Sequence, residues 1–153
     1  MELVSDFPLF LHLDMDQVCN YKCPHCIISS PSELSTYYDG DYLKFKDFQK
    51  IIDEGSEYGC PSVEPQGNNE PFIRKDLEKY IYYAHKKGFI DIMLNNNGSA
   101  FTKKRAEQIL DSGLTRLRFS LDAATPETYS KVRVGSIDPV SYTHLRAHET
   151  SNH

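Results

Sequence analysis

The amino-acid sequence predicts an α/β protein, a partial (β/α) barrel of about four β/α units built on a parallel sheet. Two observations support this prediction. Short apolar stretches with strand-like patterns alternate with amphipathic stretches at helical spacing. Polar residues follow the predicted strands, at the edge where barrel enzymes keep their active sites. An open flavodoxin-like sheet fits the same pattern, but the first loop lacks the glycine-rich phosphate-binding sequence of that class.

The first half of the chain contains two predicted strands and one helix. Alternation of apolar and polar residues predicts a strand over Pro8–Asp16. Apolar residues at helical spacing predict a helix over residues 44–58, with a glycine after its last turn. A second strand over 60–67 is expected to be short or irregular, because Pro61 and Pro65 cannot donate to a sheet ladder.

The second half repeats the alternation with clearer signals. The most regular helical pattern covers residues 74–87, and an apolar strand follows over 89–94. Thr102 is a predicted N-cap for the third helix, and residues 115–122 alternate as a fourth strand. The sequence Thr125–Glu127 places an N-cap, a proline and an acid where a fourth helix should begin.

The composition is that of an ordinary soluble globular protein with room for one modest domain: 153 residues, 39% hydrophobic and 25% charged. The net charge of −5, with acids and bases interleaved, does not indicate a nucleic-acid-binding surface. No apolar run is long enough to cross a membrane, and no signal peptide is visible. We therefore expect a cytoplasmic protein. In that reducing compartment clustered cysteines bind metal more often than they form disulfides.

The most informative stretch is the loop after the first strand, in which Cys19, Cys23 and Cys26 have the spacing C-x3-C-x2-C. Three thiolates so close in sequence can fill three corners of an iron–sulfur cluster and leave one iron open to a small molecule. The alternative is a structural zinc site, with Cys60 or a histidine as the fourth ligand. A zinc module usually pairs two short cysteine or histidine motifs, and this chain has no second cysteine pair.

The cysteine spacing resembles the signature of the radical S-adenosylmethionine (SAM) enzymes. This resemblance implies that the three cysteines bind a [4Fe-4S] cluster whose fourth iron chelates the amine and carboxylate of SAM. The implied reaction is reductive cleavage of SAM to a 5′-deoxyadenosyl radical, which abstracts hydrogen from a substrate. His25 lies where the family usually has an aromatic residue, and it is a predicted contact of the cofactor. The competing interpretation is a non-catalytic module with a structural zinc or iron–sulfur site.

Gly67–Pro71 resembles the Gly-Gly-Glu-Pro turn that follows the second strand in this family. Two asparagines replace the glycine pair, and asparagine tolerates the left-handed backbone conformation better than most residues. The resemblance implies that Glu70 contacts the amino group of SAM. The alternative is that Glu70 is a solvated loop acid.

Three later residues and one arginine complete the implied SAM pocket. Asn97 lies in a turn that resembles the family's Thr-Asn-Gly, and Ser120 and Asp122 lie in a segment that resembles its Ser-Leu-Asp. Many relatives keep an arginine near the SAM carboxylate at the position of Arg133, and a guanidinium suits a carboxylate through paired hydrogen bonds. Arg133 could equally be a surface residue at a helix C-terminus.

The domain prediction is an incomplete radical SAM core over residues 1–138, followed by a non-native tail over residues 139–153. A full family barrel has about six β/α units and this sequence offers four, so a truncated fragment without activity is a further alternative. The tail resembles the translation of a common sequencing adapter, so His144 and His148 receive no functional weight.

The resemblance also implies partners. Radical SAM enzymes need an electron donor such as flavodoxin or ferredoxin, and a substrate that the sequence does not name. Residues 120–129 resemble members with a C-terminal domain for auxiliary clusters, the SPASM group, many of which modify peptides or proteins. A peptide is therefore the predicted substrate class. No nucleic-acid or membrane partner is expected.

Overall fold

The computed structural model describes residues 5–29 and 42–135, so the predicted tail lies outside the described residues. Strands and helices alternate along the described chain. The elements are β1 (Phe10–His12), α1 (Phe45–Glu57), β2 (Ser62–Glu64), a 3-10 turn (Pro71–Ile73), α2 (Leu77–Lys86), β3 (Asp91–Asn96), α3 (Lys103–Asp111), β4 (Arg116–Phe119) and α4 (Pro126–Val132).

The strands form one parallel sheet in the order β1-β2-β3-β4, so each strand pairs with the next in the sequence. The register sets His12 opposite Glu64, and Asn95 opposite Arg118. Because all strands run the same way, their carboxyl ends meet at one edge of the sheet. This arrangement confirms the predicted α/β class with a parallel sheet.

The hydrophobic core lies between one face of the sheet and the helices. Alternate strand positions such as Val63 and Leu94 are completely buried there, because successive side chains of a strand point to opposite faces. Phe48 of α1 packs edge-on against Tyr80 of α2, with ring centroids 4.9 Å apart. Burying a side chain such as Phe48 stabilises the fold by about 2–3 kcal/mol.

Helix boundaries follow the predicted capping signals. The Thr102 hydroxyl accepts a hydrogen bond from the N–H of Arg105 at the start of α3, and the Thr125 hydroxyl does the same for Thr128 in α4. Gly113 follows α3 with a φ of +102°, a conformation that L side chains rarely adopt.

Strands β1 and β4 are shorter than predicted, β2 is short as predicted, and β3 has the predicted six residues but begins two residues later. β1 contains three residues and β2 also three, and the β2 ladder lies between Pro61 and Pro65, which lack the N–H needed to extend it. The exposed side chain of Leu9 lies before β1 instead of packing in the core. Helix α2 begins at Leu77, so Arg74 belongs to the turn before it.

Candidate active site

One pocket at the carboxyl edge of the sheet brings together seven of the nine residues that the sequence predicted for the site. The loop after β1, the turn after β2 and the ends of β3 and β4 all contribute to its wall. The predicted residues that line it are Cys19, Cys23, Cys26, Glu70, Asn97, Ser120 and Arg133. The fold therefore gathers segments that are far apart in the sequence.

The cysteine loop presents three free thiols to this pocket. Cys23 is buried, while Cys19 and Cys26 are partly exposed. The loop closes through a hydrogen bond of 3.0 Å from the N–H of Cys26 to the carbonyl oxygen of Cys23. Burial raises the pKa of the Cys19 thiol, the N–H of Tyr21 opposes this shift, and nearby Glu70 adds to it. The cluster-free thiol is therefore held in its protonated form.

N–H donors lie beside two of the three thiols, those of Cys19 and Cys23. The backbone N–H of Tyr21 donates to Sγ of Cys19 at 3.4 Å, and the side-chain amide of Asn97 lies 4.0 Å from the same sulfur. The guanidinium of Arg133 lies 4.0 Å from Sγ of Cys23. Hydrogen bonds to the sulfurs tune the reduction potential of iron–sulfur clusters, so these donors fit such a group.

The described side chains show no group of three or more His, Cys, Asp and Glu residues arranged to hold a single metal ion. In a cubane cluster each thiolate binds a different iron, so the sulfurs need not converge on one point. Three free thiols that share a pocket, with N–H donors beside two of them, suit the cluster better than a single ion.

Glu70 is the buried acid of the pocket, with 3% of its surface exposed. Its Oε1 accepts from the N–H of Phe72 at 3.1 Å, and its Oε2 accepts from the N–H of Asn97 at 2.7 Å. Burial raises the pKa of the Glu70 carboxyl to about 7, although these two N–H groups and the charge of Arg133 oppose the shift. A lone solvated loop acid would not have this environment, so that alternative is wrong.

Asn97 connects three parts of the site. Its side-chain amide donates to Oδ1 of Asn20 in the cysteine loop at 3.0 Å. Its backbone carbonyl accepts from the hydroxyl of Tyr129 on α4 at 3.4 Å. Ser120 follows β4 and is held by a 2.8 Å hydrogen bond from its N–H to the carbonyl oxygen of Asn96. Hydrogen bonds of the backbone and of the Asn97 side-chain amide therefore hold the strand ends at the edge of the pocket.

Arg133 is mostly buried, with 17% of its side chain exposed, and it forms an ion pair with Asp122. Its Nε is buried and finds no acceptor among residues 5–29 and 42–135. An unsatisfied buried donor in a pocket wall fits a bound anionic or carbonyl group. The surface-arginine alternative is therefore wrong.

The two predicted site residues outside the pocket lining are His25 and Asp122. Nε2 of His25 lies 3.8 Å from Oδ2 of Asp122, and about half of each side chain is exposed. Asp122 is connected to the pocket through its ion pair with the lining residue Arg133. Neither His25 nor Asp122 lines the pocket, so their contact with the cofactor stays a prediction.

Sequence reasoning missed several residues that build this pocket. Asn20, inside the cysteine motif, binds both Asn97 and Ser99, the latter through a 2.7 Å hydrogen bond. Gly67 approaches Asp14 so closely that an added Cβ would lie 2.0 Å from its Oδ1. Gly67 begins the turn that the sequence analysis identified, but its close approach to Asp14 is a tertiary contact that the local sequence does not encode.

Three further cysteine and histidine residues lie outside the pocket lining. Cys60 is 4% exposed and is buried in the core. His85 is exposed. His12 is more exposed than a packed core residue, with 55% of its side chain accessible, and its Nδ1 lies 3.0 Å from Oε2 of Glu64.

The structure combines a four-stranded parallel α/β sheet with three free thiols at its carboxyl edge, the arrangement that the sequence predicted for an iron–sulfur barrel protein. A family model described as "Radical SAM superfamily" matches residues 16–151. The chain belongs to the radical SAM superfamily, whose cofactors are a [4Fe-4S] cluster and SAM. This finding confirms the family resemblance of the cysteine motif.

Curated relatives include GTP 3′,8-cyclases. The chain is 31% identical over 128 residues to a probable GTP 3′,8-cyclase of Methanococcus vannielii, a match that covers 84% of this chain and 41% of the relative. It is 27% identical over 146 residues to the GTP 3′,8-cyclase of Syntrophomonas wolfei, covering 94% and 44%. The chain therefore spans less than half the length of these relatives.

Solved structures with a similar fold include SuiB and BtrN. Streptococcus suis SuiB bound to S-adenosylmethionine matches with a TM-score of 0.70 and 18% identity, over 93% of this chain and 30% of SuiB. BtrN in complex with AdoMet and 2-DOIA matches with a TM-score of 0.65 and 14% identity, over 92% and 56%. These likenesses confirm the partial barrel fold.

No helix in residues 5–29 and 42–135 has the length and apolarity to span a membrane.

Proposed function

We propose that residues 1–138 form the N-terminal part of a radical SAM enzyme core, and that residues 139–153 are a non-native tail. Cys19, Cys23 and Cys26 would hold a [4Fe-4S] cluster, and Glu70 and Arg133 would lie against SAM. When bound, these groups supply the reductive cleavage of SAM that starts hydrogen abstraction from a substrate. The observation that carries the proposal is the shared pocket of the three free thiols and the buried Glu70.

The geometry supports a different role in ligand binding for each of the two ionisable residues, Glu70 and Arg133. Glu70 is held by two backbone N–H groups, so its carboxyl has a fixed place and its outward lone pairs can accept from an ammonium group. The orphaned Nε of Arg133 can donate to the carboxylate of the same ligand. Asp122 and His25 would hold the guanidinium in this orientation.

Asn97 and Ser120 would contribute polar contacts at the rim. The Asn97 side chain already bridges to the cysteine loop, so it also keeps the loop close to the strand end. Ser120 lines the pocket at the end of β4 and offers a hydroxyl to the ribose or methionyl part of SAM.

The substrate of the complete enzyme is a separate proposal. Residues 120–129 favour a peptide or protein, while curated relatives named GTP 3′,8-cyclases favour a nucleotide. A cytoplasmic electron donor such as flavodoxin or ferredoxin would supply the reducing electron.

The test is anaerobic reconstitution of the chain with iron and sulfide, followed by SAM and a strong reductant. We expect release of 5′-deoxyadenosine and methionine from the wild type and none from Cys23→Ala. Cys60→Ala is the matched control, because Cys60 is a core thiol away from the pocket. One zinc per chain with no SAM cleavage would instead support the structural metal module, and equal release from wild type and Cys23→Ala would contradict the radical mechanism.

A further inference from the structure

A buried carboxylate three residues before the cysteine loop is the centre of a hydrogen-bond network. Oδ1 of Asp16 accepts from the N–H of Val18 at 3.0 Å and from the side-chain amide of Asn69 at 3.1 Å. Oδ2 accepts from Nη1 of Arg74 at 2.9 Å. Only 13% of the Asp16 side chain and 11% of the Arg74 side chain are exposed, so this ion pair is shielded from solvent.

Arg74 lies after the Glu70 turn and reaches back to Asp16. Its Nε donates to Oδ1 of Asp76 at 2.8 Å, and its Nη2 donates to the hydroxyl of Tyr80 at 2.8 Å. Its guanidinium carbon lies 4.6 Å from the centroid of the Tyr80 ring. All three guanidinium nitrogens are therefore used, and helix α2 holds the arginine rigidly through Tyr80.

The network joins the cysteine loop to the turn that carries Glu70. Asp16 fixes the N–H of Val18, and the carbonyl oxygen of Val18 accepts a 3.0 Å hydrogen bond from the N–H of Glu70. Arg74 follows the same turn and binds the carboxylate of Asp16, so it forms a further connection between the turn and the cysteine loop. The loop and the turn are thus connected at three points: Asn69, Glu70 and Arg74.

We propose that Asp16 and Arg74 are positioning residues that set the distance between the cluster-binding loop and the SAM-binding turn. This inference rests on the proposed function, since it assigns the cluster to the loop and SAM to the turn. Neither side chain lines the pocket, so their effect passes through Val18 and Glu70. A shift of the turn relative to the loop would separate the SAM amine from the open iron.

A purely stabilising role for the pair is distinguishable from a positioning role. A stabilising pair would change the unfolding midpoint, while the spectrum of a fully loaded cluster would still respond to SAM. A positioning pair would change that response at equal iron content. Arg74→Lys keeps the positive charge but cannot donate to Asp16, Asp76 and Tyr80 at the same time, so it tests the geometry of these contacts.

Arg116→Gln is the matched control. Arg116 binds Asp91 through hydrogen bonds of 2.7 and 2.6 Å on the strands, away from the pocket lining.

The first measurement is the electron paramagnetic resonance spectrum of the reduced cluster with and without SAM, titrated to give the SAM affinity. We expect wild type and Arg116→Gln to respond alike. Arg74→Lys and Asp16→Asn should retain iron and lose SAM affinity by about tenfold or more. Wild-type affinity in both variants would overturn the inference, and a wild type that never responds to SAM would overturn the proposed function.

The second measurement needs no cofactor, and it tests directly whether the ion pair of Asp16 and Arg74 holds the turn that carries Glu70. Amide hydrogen exchange of the cluster-free chain should be about tenfold or more faster at Glu70 in Arg74→Lys than in wild type. The amide of Thr115, which donates to the carbonyl of Ile92 across the sheet, should exchange at the wild-type rate. Unchanged exchange at Glu70 would show that the ion pair does not hold the turn, and the inference would then be wrong.

Discussion

Oε2 of Glu70 accepts a 2.7 Å hydrogen bond from the backbone N–H of Asn97, which lies at the carboxyl end of the neighbouring strand. This contact joins the turn after β2 to the turn after β3. The carboxyl therefore has a defined position before any ligand binds. Its burial has a measurable consequence, because an acid in such a place resists ionisation.

The stability of the cluster-free chain should fall with rising pH because of Glu70. Its pKa is raised from 4.5 to about 7 in the folded state. The folded chain thus holds this proton more tightly than the unfolded chain, and the contribution is fully present below about pH 4.5 and lost as the pH rises through about 7. The expected loss is at most about 3 kcal/mol.

Denaturant unfolding of wild type and Glu70→Gln at about pH 5 and about pH 8 checks this prediction. Glutamine keeps the shape and carries no charge, so the variant should lose less stability between the two pH values than wild type. Identical pH dependence in the two proteins would show that Glu70 ionises normally.

Each cysteine of the loop should be needed for iron binding. Cys19→Ala, Cys23→Ala and Cys26→Ala each remove one corner of the predicted cluster, and we expect little or no iron after reconstitution. Iron and sulfide analysis measures the outcome. The control Cys60→Ala should bind iron as wild type does, because Cys60 lies in the core. Full iron content in any loop variant would remove that cysteine from the ligand set.

Gly67→Ala should distort the turn that leads to Glu70. The new Cβ would lie 2.0 Å from Oδ1 of Asp14, which also accepts from the N–H of Asn68 at 3.3 Å. Overpacking of this kind costs about 1–3 kcal/mol, and the displaced turn should bind SAM more weakly. Thermal unfolding and a SAM titration measure the two effects.

Gly59→Ala separates backbone strain from the effect on the site. Gly59 has a φ of +71°, and nothing lies within 4 Å of the position its Cβ would take. This variant should lose about 1–2 kcal/mol of stability while its SAM affinity stays at the wild-type value. Equal SAM affinity in both glycine variants would show that the turn tolerates the displacement.

Phe48→Ala tests the core beneath the sheet. Phe48 is completely buried and contacts the rings of Phe45 and Tyr80. Its truncation should cost about 3–5 kcal/mol, from lost burial and the cavity left behind. The control Tyr82→Ala removes a side chain that is 52% exposed and should cost far less. Chemical denaturation of the three proteins gives the comparison, and similar midpoints would contradict the described packing.

Local patterns located the helices well because capping and periodicity act over a few residues. Thr102 and Thr125 cap α3 and α4 as the sequence predicted. Strand bounds were less accurate, since a ladder forms only where a partner strand offers free N–H and C=O groups. The prolines at 61 and 65 keep β2 short, as predicted, and β1 pairs only along that short segment.

The site was predictable where a motif itself defines the ligands, as at Cys19, Cys23 and Cys26. The site was less predictable where the orientation of a side chain decides whether the residue lines the pocket. His25 and Asp122 flank the pocket instead of lining it, because Asp122 is drawn to Arg133. The roles of all the site residues stay predictions until they are measured.

The sequence alone was enough to predict the α/β class, the family and the three thiols that we propose as cluster ligands, because each depends on residue types at short, regular spacing. The tertiary structure alone decided that Glu70 is buried against Asn97 and that Asp16 and Arg74 tie the loop to the turn. Those contacts join residues 27 and 58 positions apart. No local pattern encodes such pairs, since they exist only after the parallel strands bring their carboxyl ends together.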